Sequence, residues 1–215
     1  MNGSLATFLI VASLLAAPAL CTAADTPSPT RPEHAAKLQR YIYCDGFADG
    51  VRGVMLDHRP PNAEKWREVG VGDRRERVSV VDGYRIIYSH PRTFAFAKLE
   101  VERSDPLKYS EDRRIVTHYL EDMAARDGNV TLTSFADRGF DGRTVTKKAL
   151  GGTTIALTQI FSDQDAVIVT IFFLNQLPEY RKFQTYEEFI ALRDSFIHGY
   201  LDCVAGNAQR PVVLH

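Results

Sequence analysis

Two cysteines near opposite ends of the chain constrain its fold more than any other feature. Cys44 and Cys203 are separated by about 160 residues, and a third cysteine, Cys21, lies at the end of an apolar run. If that run is removed during export, Cys44 and Cys203 remain, and two cysteines in an oxidising compartment most simply form a disulfide. Such a bridge stabilises a chain of this length by about 5 kcal/mol of loop entropy. The alternative is that both thiols are buried and unpaired.

The apolar run itself indicates export. Residues 5–20, LATFLIVASLLAAPAL, carry no charge and are followed by small residues up to Ala24, as in a secretory signal peptide. The run has about 16 residues, whereas a helix needs roughly 20 to span a bilayer. We therefore predict a signal peptide over residues 1–24 and a periplasmic or secreted protein with no integral membrane segment after cleavage. An uncleaved membrane tether and lipidation at Cys21 are the alternatives.

The remainder of the chain has the composition of one globular domain. The sequence is 45% hydrophobic and 25% charged, which are ordinary values for a soluble domain. We predict a Pro-rich linker over residues 25–32, a single domain over residues 33–205 and a C-terminal tail over residues 206–215. The net charge of −1 leaves no excess of Lys and Arg to neutralise phosphates, which argues against nucleic acid as a partner.

The first part of the domain combines a helix with strands. Apolar residues recur at spacings of three and four between residues 33 and 55, which predicts a helix. The alternative is that this helix ends near Cys44 and that the glycines after it form a loop. Residues 57–77 are polar and rich in turn formers. The dipeptide Asp82-Gly83 predicts a hairpin turn, and alternation over residues 94–104 predicts a strand with one solvated side.

The second part begins with a helix that ends near Gly128 and continues with strands joined by short turns, one of them at Asp141-Gly142. Four strands are predicted, at about residues 130–136, 143–150, 153–161 and 166–174. A last helix starts with a capping box formed by Thr185 and Glu188. Because short links favour antiparallel neighbours, we predict an α+β fold: an antiparallel sheet of about six strands flanked by helices. The predicted order is helix, two strands, helix, four strands, helix.

Three short segments carry a resemblance to a known family. They are GYRIIYSHPRTFAF from Gly83, FDGRTV from Phe140 and LRDSF from Leu192. With the closing run of strands, these segments make residues 83–196 similar in layout to the PsbP/DcrB-like α/β/α sandwich. The resemblance implies a sheet with helices on both faces and a mostly non-enzymatic role, as in extrinsic subunits, envelope proteins and chaperone-like binders. The N-terminal helix and the proposed disulfide depart from the family pattern.

The sequence contains no catalytic signature. No GxSxG motif and no phosphate-binding glycine loop are present. Three side-chain pairs could carry chemistry: His118 with Asp122 as an acid–base or metal pair, Asp163 with Asp165 as calcium ligands, and Asp57 with His58 as a loop dyad. Each pair is more typical of a solvated helix face or a turn. We therefore predict no catalytic residue, no metal site and no cofactor.

These observations favour a secreted, non-enzymatic binding or accessory protein that acts on a protein partner in the cell envelope, such as an inhibitor, an immunity protein or an assembly factor. The predicted contact residues are Trp66, Arg67 and Arg74, since an exposed aromatic ringed by charges is typical of binding hot spots. The exposed face of the sheet is a second candidate surface. Two other functions stay open: an envelope hydrolase whose site converges only in three dimensions, and a small-molecule or lipid carrier with an apolar cavity between sheet and helix.

Overall fold

The computed structural model describes residues 38–44, 52–58, 65–89, 95–150, 154–175 and 183–207. The predicted signal peptide, the predicted linker and residues 208–215 of the predicted tail lie outside the described residues. The described elements run in the order α1, β1 to β5, α2, β6 to β9 and α3. Helix α1 comprises residues 38–42. The others are β1 Arg52–His58, β2 Trp66–Val71, β3 Arg74–Ser79, β4 Asp82–Ser89, β5 Ala95–Arg103, α2 Tyr109–Arg126, β6 Val130–Asp137, β7 Phe140–Lys147, β8 Thr154–Ser162, β9 Val167–Leu174 and α3 Tyr186–Asn207.

Seven of the strands form one antiparallel sheet, in the order β1-β4-β5-β9-β8-β7-β6. Strands β2 and β3 form a separate two-stranded hairpin. The α+β fold is therefore confirmed, with one strand more in the main sheet than predicted and an additional hairpin. Strand β9 occupies the centre of the sheet, and its apolar residues pack into clusters on both of its faces, as its continuous apolar sequence predicts.

The two faces of the sheet are covered by different helices. On one face, α1 and α3 pack on aromatic and aliphatic side chains, and the ring of Phe196 meets those of Tyr88, Phe96 and Phe173 edge to face. On the other face, α2 packs through Val116 and Leu120 on the sheet and the β2–β3 hairpin. We call these the α3 face and the α2 face. Because side chains alternate along a strand, successive residues of the central strand β9 face opposite helix layers.

The predicted disulfide is confirmed. Cys44 follows α1, Cys203 lies in the last turns of α3, and their Cα atoms are 5.6 Å apart. Two tyrosine hydroxyls hold the same segment by donating to backbone carbonyls, Tyr200 to Tyr41 at 2.9 Å and Tyr88 to Cys44 at 3.0 Å. Residues 38–44 are therefore fixed on the α3 face by one covalent bond and by hydrogen bonds to backbone oxygens.

The helix predicted over residues 33–55 is wrong in its second half. Its alternative end near Cys44 is confirmed, because residues 43–44 are not helical, and residues 52–58 form the edge strand β1. Gly53 lies in this strand rather than in a loop. A Cβ built there would approach the ring of Tyr88 to 2.8 Å, so a side chain at this position is excluded by the neighbouring aromatic residue.

Two predicted turns are also wrong, and in both cases the reason is the backbone conformation. Asp82-Gly83 lies inside β4, paired with Arg103 and Glu102, and neither residue has the positive φ that a tight hairpin turn requires. Asp141-Gly142 lies inside β7. The turn before β7 is Arg138-Gly139, with φ angles of 50° and 81°.

The segment 57–77 is more regular than predicted. Its second half is the β2–β3 hairpin, whose turn contains Gly72 with a φ of 63°. The capping box at the start of α3 is confirmed, because Thr185 Oγ1 accepts from the N–H of Glu188 and the Glu188 carboxylate accepts from the N–H of Thr185, both at 3.2 Å. In the part of the chain that the structure describes, neither α2 nor α3 is long and apolar enough to cross a bilayer.

Candidate functional site

A cleft lies between α2 and the sheet on the α2 face. Its volume is about 380 Å³. Tyr119 and Met123 stand one turn apart on α2 and form its roof. Residues of four strands contribute the floor and the far wall, among them Val130 from β6, Val145 from β7, Leu157 from β8 and Phe172 from β9. Most of its lining is therefore apolar, and it lies where sheet and helix meet.

One lysine lines this cleft. Lys147 is the last residue of β7 and stands opposite Val130. It makes no hydrogen bond and no ion pair with any described residue. A second lysine, Lys98, lies in the same cross-strand row as Phe172, with its Nζ 4.0 Å from the centre of that ring and 3.2 Å from Glu100 Oε1. Positive charge therefore lies at two positions beside an apolar surface.

Two buried polar side chains lie next to the cleft. Gln159 on β8 and Thr170 on β9 face each other across the two strands and are 1% and 4% exposed. They are two residues beyond Leu157 and Phe172 on the same face, a distance of about 7 Å along the strands. Gln159 Oε1 and Thr170 Oγ1 have no hydrogen-bond partner among the described residues. Leaving such a group unpaired costs about 1–3 kcal/mol. A bound molecule or a water that forms hydrogen bonds with these two atoms would remove this cost and would therefore bind more tightly.

The residues predicted to bind a partner all lie on the β2–β3 hairpin. Arg67 Nε donates to Glu102 Oε2 at 2.5 Å, and that carboxylate is buried in the sheet. Trp66 is half-buried rather than exposed, and the guanidinium of Arg77 lies 4.0 Å above its ring. Arg74 is 3.9 Å from Asp122 of α2. Two of these three side chains therefore help to hold the hairpin against the rest of the molecule.

The predicted His118 and Asp122 pair is formed, as its spacing on a helix requires. His118 Nε2 is 3.6 Å from Asp122 Oδ1, and its Nδ1 is 3.4 Å from Glu121 Oε2. Both carboxylates also have arginine partners, Arg74 for Asp122 and Arg143 for Glu121. The hydrogen bond from Arg143 holds the pKa of the Glu121 carboxyl below its usual value. In the described residues no three His, Cys, Asp or Glu side chains converge on one point that could hold a metal ion.

The two carboxylates in the turn between β8 and β9 face different elements, and this separates the predicted calcium ligands. Asp163 Oδ1 accepts from the Tyr109 hydroxyl at 3.0 Å and from Arg113 at 2.5 Å, both on α2. Asp165 Oδ2 instead accepts from the hydroxyl of Tyr41 at 2.7 Å on the opposite side of the sheet. These carboxylates therefore anchor α2 and α1 rather than sharing a ligand.

The predicted loop dyad, Asp57 and His58, lies in strand β1 and not in a loop. The structure does not describe the side chains of these two residues. The sequence analysis named an apolar cavity between sheet and helix only as an alternative, and it identified neither the residues that line the cleft nor the neighbouring polar pair. One signal could have revealed the pair, because Gln159 and Thr170 interrupt two strands that are otherwise almost wholly apolar. A polar residue within a strand that is buried on both faces points to a specific partner for that residue.

No protein-family model, no curated protein and no solved structure matches this chain. The similarity to the PsbP/DcrB-like sandwich stays a prediction.

Proposed function

We propose that this protein is an exported binding protein that holds a small amphiphilic anion in the cleft beneath α2. The observation that carries the proposal is the apolar cleft of about 380 Å³ with Lys147 in its wall. Small-molecule sites have volumes of about 300–1,000 Å³ and combine apolar walls with a few polar groups. Apolar walls favour a hydrocarbon ligand, and a lysine without a partner among the described residues favours a carboxylate or a similar anion.

The unpaired Gln159 and Thr170 support the same role. A protein that only needed stability would gain by placing apolar residues at these two positions, because apolar replacements of unpaired polar groups are neutral or stabilising. Polar groups that break this rule beside a cleft are typical of functional sites. The apolar run at residues 5–20 and the disulfide between Cys44 and Cys203 support export, since disulfides persist in oxidising compartments.

Decanoate and decanol are suitable probes, because they share an alkyl chain and differ in charge. Isothermal titration calorimetry on the whole chain should detect decanoate binding with a negative heat-capacity change. Lys147→Gln should weaken decanoate binding about tenfold, equivalent to about 1.4 kcal/mol, and leave decanol binding unchanged. Lys148→Gln is the matched control, since Lys148 is exposed, donates to the Gly128 carbonyl and does not line the cleft.

A mutation in the cleft wall separates this binding from adsorption elsewhere. Met123→Glu places a negative charge in the wall of the cleft. It should weaken the binding of decanoate more than the binding of decanol. The proposal fails if neither probe binds, or if Lys147→Gln and Lys148→Gln weaken decanoate binding to the same degree. Circular dichroism of each variant shows whether the fold is retained.

A protein partner at the β2–β3 hairpin is the second candidate. The observation in its favour is the charged tip, where Arg74 and Arg75 are 58% and 65% exposed. Charges of this kind steer association and fix orientation. Crosslinking in the envelope fraction, read by mass spectrometry, should recover a stoichiometric partner with the native chain and lose it with Arg74→Glu. Equal recovery with both chains would remove the hairpin from consideration.

A further inference from the structure

Strand β6, Val130–Asp137, forms an edge of the seven-stranded sheet, and no other described strand pairs with its outer side. All eight of its residues pair with β7 in one unbroken register. The side chains of Thr131, Thr133, Ser134 and Ala136 are exposed. A regular edge strand presents unpaired backbone groups to any other strand that can reach it, so proteins normally protect such edges.

The usual protective devices are absent from β6. Residues 130–136 contain no charged residue and no proline, and the pairing with β7 shows no bulge. The opposite edge strand, β1, differs in both respects. It has a register shift between Met55 and Asp57 and begins and ends with Arg52 and His58. Of the two edge strands, β1 therefore has an irregular register and polar residues at both ends, whereas β6 has a regular register and no charge before Asp137.

The hydrogen-bonding pattern identifies which backbone groups of β6 point outward. The N–H of Lys148 donates to the carbonyl of Asn129 at 2.7 Å. Because antiparallel pairs alternate, the backbone groups of odd-numbered residues of β6 face β7 and those of Val130, Leu132, Ser134 and Ala136 face outward. The N–H of Val130 is already used, since it donates to the Asp127 carbonyl at 2.8 Å. The other outward groups of these four residues have no partner among the described residues.

We propose that β6 pairs antiparallel with β6 of a second copy of this chain, about a two-fold axis that passes beside Thr133. With the axis there, all four outward-facing residues of each copy lie opposite outward-facing residues of the other. Allowing for the engaged N–H of Val130, this register makes about six hydrogen bonds. The two sheets would join into one continuous sheet across the axis, in the closed, isologous arrangement typical of homodimers.

Side-chain chemistry favours a second copy as the occupant. In this register Leu132 lies opposite Ser134 and Val130 opposite Ala136, so each larger apolar side chain meets a small one. The strand has no charge between Val130 and Ala136, and two copies therefore meet there without like-charge repulsion. At the ends of the pair, the carboxylate of Asp137 lies opposite the amide of Asn129, which can donate to it.

Cysteine substitution tests this register directly. Two copies of Thr133 would be a non-hydrogen-bonded pair with Cα atoms about 4.5 Å apart, within disulfide range. Thr133→Cys should therefore give a covalent dimer on mild oxidation. Thr131→Cys is the matched control, because it is equally exposed on the same face but about 13 Å from its own symmetry mate. The parent chain, which shares the other cysteines, supplies the background.

Sedimentation equilibrium should show a dimer of the native chain. Ser134→Pro removes one outward N–H without removing a bond to β7, and it should give a monomer, whereas Ser134→Ala keeps that N–H and should stay dimeric. If Ser134→Pro fails to fold, Thr133→Lys provides the same test by placing two like charges across the axis. A native chain that is monomeric at its solubility limit overturns the proposal. A strand from another protein would then be the remaining candidate to pair with β6. Equal crosslinking at residues 131 and 133 also overturns it.

Discussion

The hydroxyl of Tyr41 donates a hydrogen bond of 2.7 Å to Oδ2 of Asp165, joining α1 to the turn between β8 and β9. Arg40 pairs with the same carboxylate and donates to the Tyr41 oxygen at 2.6 Å. Burial raises the pKa of Tyr41 well above its ordinary value, so this hydroxyl stays protonated and acts as a donor at all physiological pH values. Side chains from two segments that are distant in sequence therefore form one polar cluster, which Ser162 joins by accepting from Arg40 at 3.3 Å.

Removing this hydroxyl should destabilise the fold. Tyr41→Phe deletes one hydrogen bond to a charged acceptor, and we expect the free energy of unfolding to fall by about 1.5–3 kcal/mol. Urea denaturation followed by circular dichroism measures the change. Tyr43→Phe is the control, because Tyr43 is 65% exposed. This substitution should change the free energy of unfolding by no more than about 0.5 kcal/mol. Equal effects of the two substitutions would show that the Tyr41–Asp165 bond contributes little.

The disulfide should account for a large share of the stability. Cys44 and Cys203 are separated by 159 residues, and a loop of this size corresponds to about 5 kcal/mol of chain entropy in the unfolded state. Reduction should lower the urea midpoint by an amount equivalent to a few kcal/mol. The double variant Cys44→Ser with Cys203→Ser should match the reduced native chain and show no response to reductant. A native chain whose midpoint is unchanged by reductant contradicts the prediction.

The sequence predicted the α+β class, the disulfide and the capping box from features that do not depend on the details of tertiary packing. A capping box is defined by residues three apart, and the cysteine pair follows from having few thiols. The errors lie where tertiary contacts override local preference. Gly142 was assigned to a turn because Asp-Gly favours one, yet a Cβ there would fall 2.0 Å from the ring of Phe135. Glycine at this position makes room for an aromatic side chain on the adjacent strand.

The site was harder to predict than the fold, because its residues come from separate elements. The cleft is lined by residues of α2 and of four strands, and no local spacing connects Tyr119 with Phe172. Two of the three pairs that sequence spacing identified are helix or turn neighbours, and the structure shows their members engaged with arginines and tyrosines. Spacing along the chain therefore identified side chains that hold the elements of the fold together. The residues of the cleft could be identified only once the pairing of the strands was known.

Thr170, whose hydroxyl has no hydrogen-bond partner among the described residues, should lower the stability of the fold. Thr170→Val has nearly the same shape and removes an unpartnered hydroxyl, so we expect the free energy of unfolding to rise by about 1 kcal/mol. Thr144→Val is the matched control on the α3 face, since Thr144 Oγ1 lies 2.8 Å from Thr158 Oγ1 and both are buried. That substitution leaves Thr158 unpaired and should destabilise the fold. If both variants are destabilised equally, Thr170 has a partner in solution, and its environment differs from the one described.

The ion pair between Arg143 and Glu121 gives a prediction about pH. Arg143 Nη1 donates to Glu121 Oε1 at 2.5 Å and lowers the pKa of that carboxyl from its usual value of 4.5. A carboxyl with a lower pKa in the folded state adds stability above its unfolded pKa, and this stability is lost as the pH falls through the folded pKa. Arg143→Gln should therefore lower the free energy of unfolding at pH 7 and leave it unchanged at a pH well below 4.5.

The expected effect at pH 7 is below about 1 kcal/mol, because Glu121 is 45% exposed and the pair is screened by solvent. A side-chain NMR titration is the more sensitive measurement, and it should show the pKa of Glu121 rising towards 4.5 in Arg143→Gln. Arg75→Gln is the control, since Arg75 pairs with Glu68 on the hairpin and has no contact with Glu121. High salt should reduce the difference between the native chain and Arg143→Gln. A stability difference that persists unchanged at low pH would show that Arg143 acts through packing rather than through its charge.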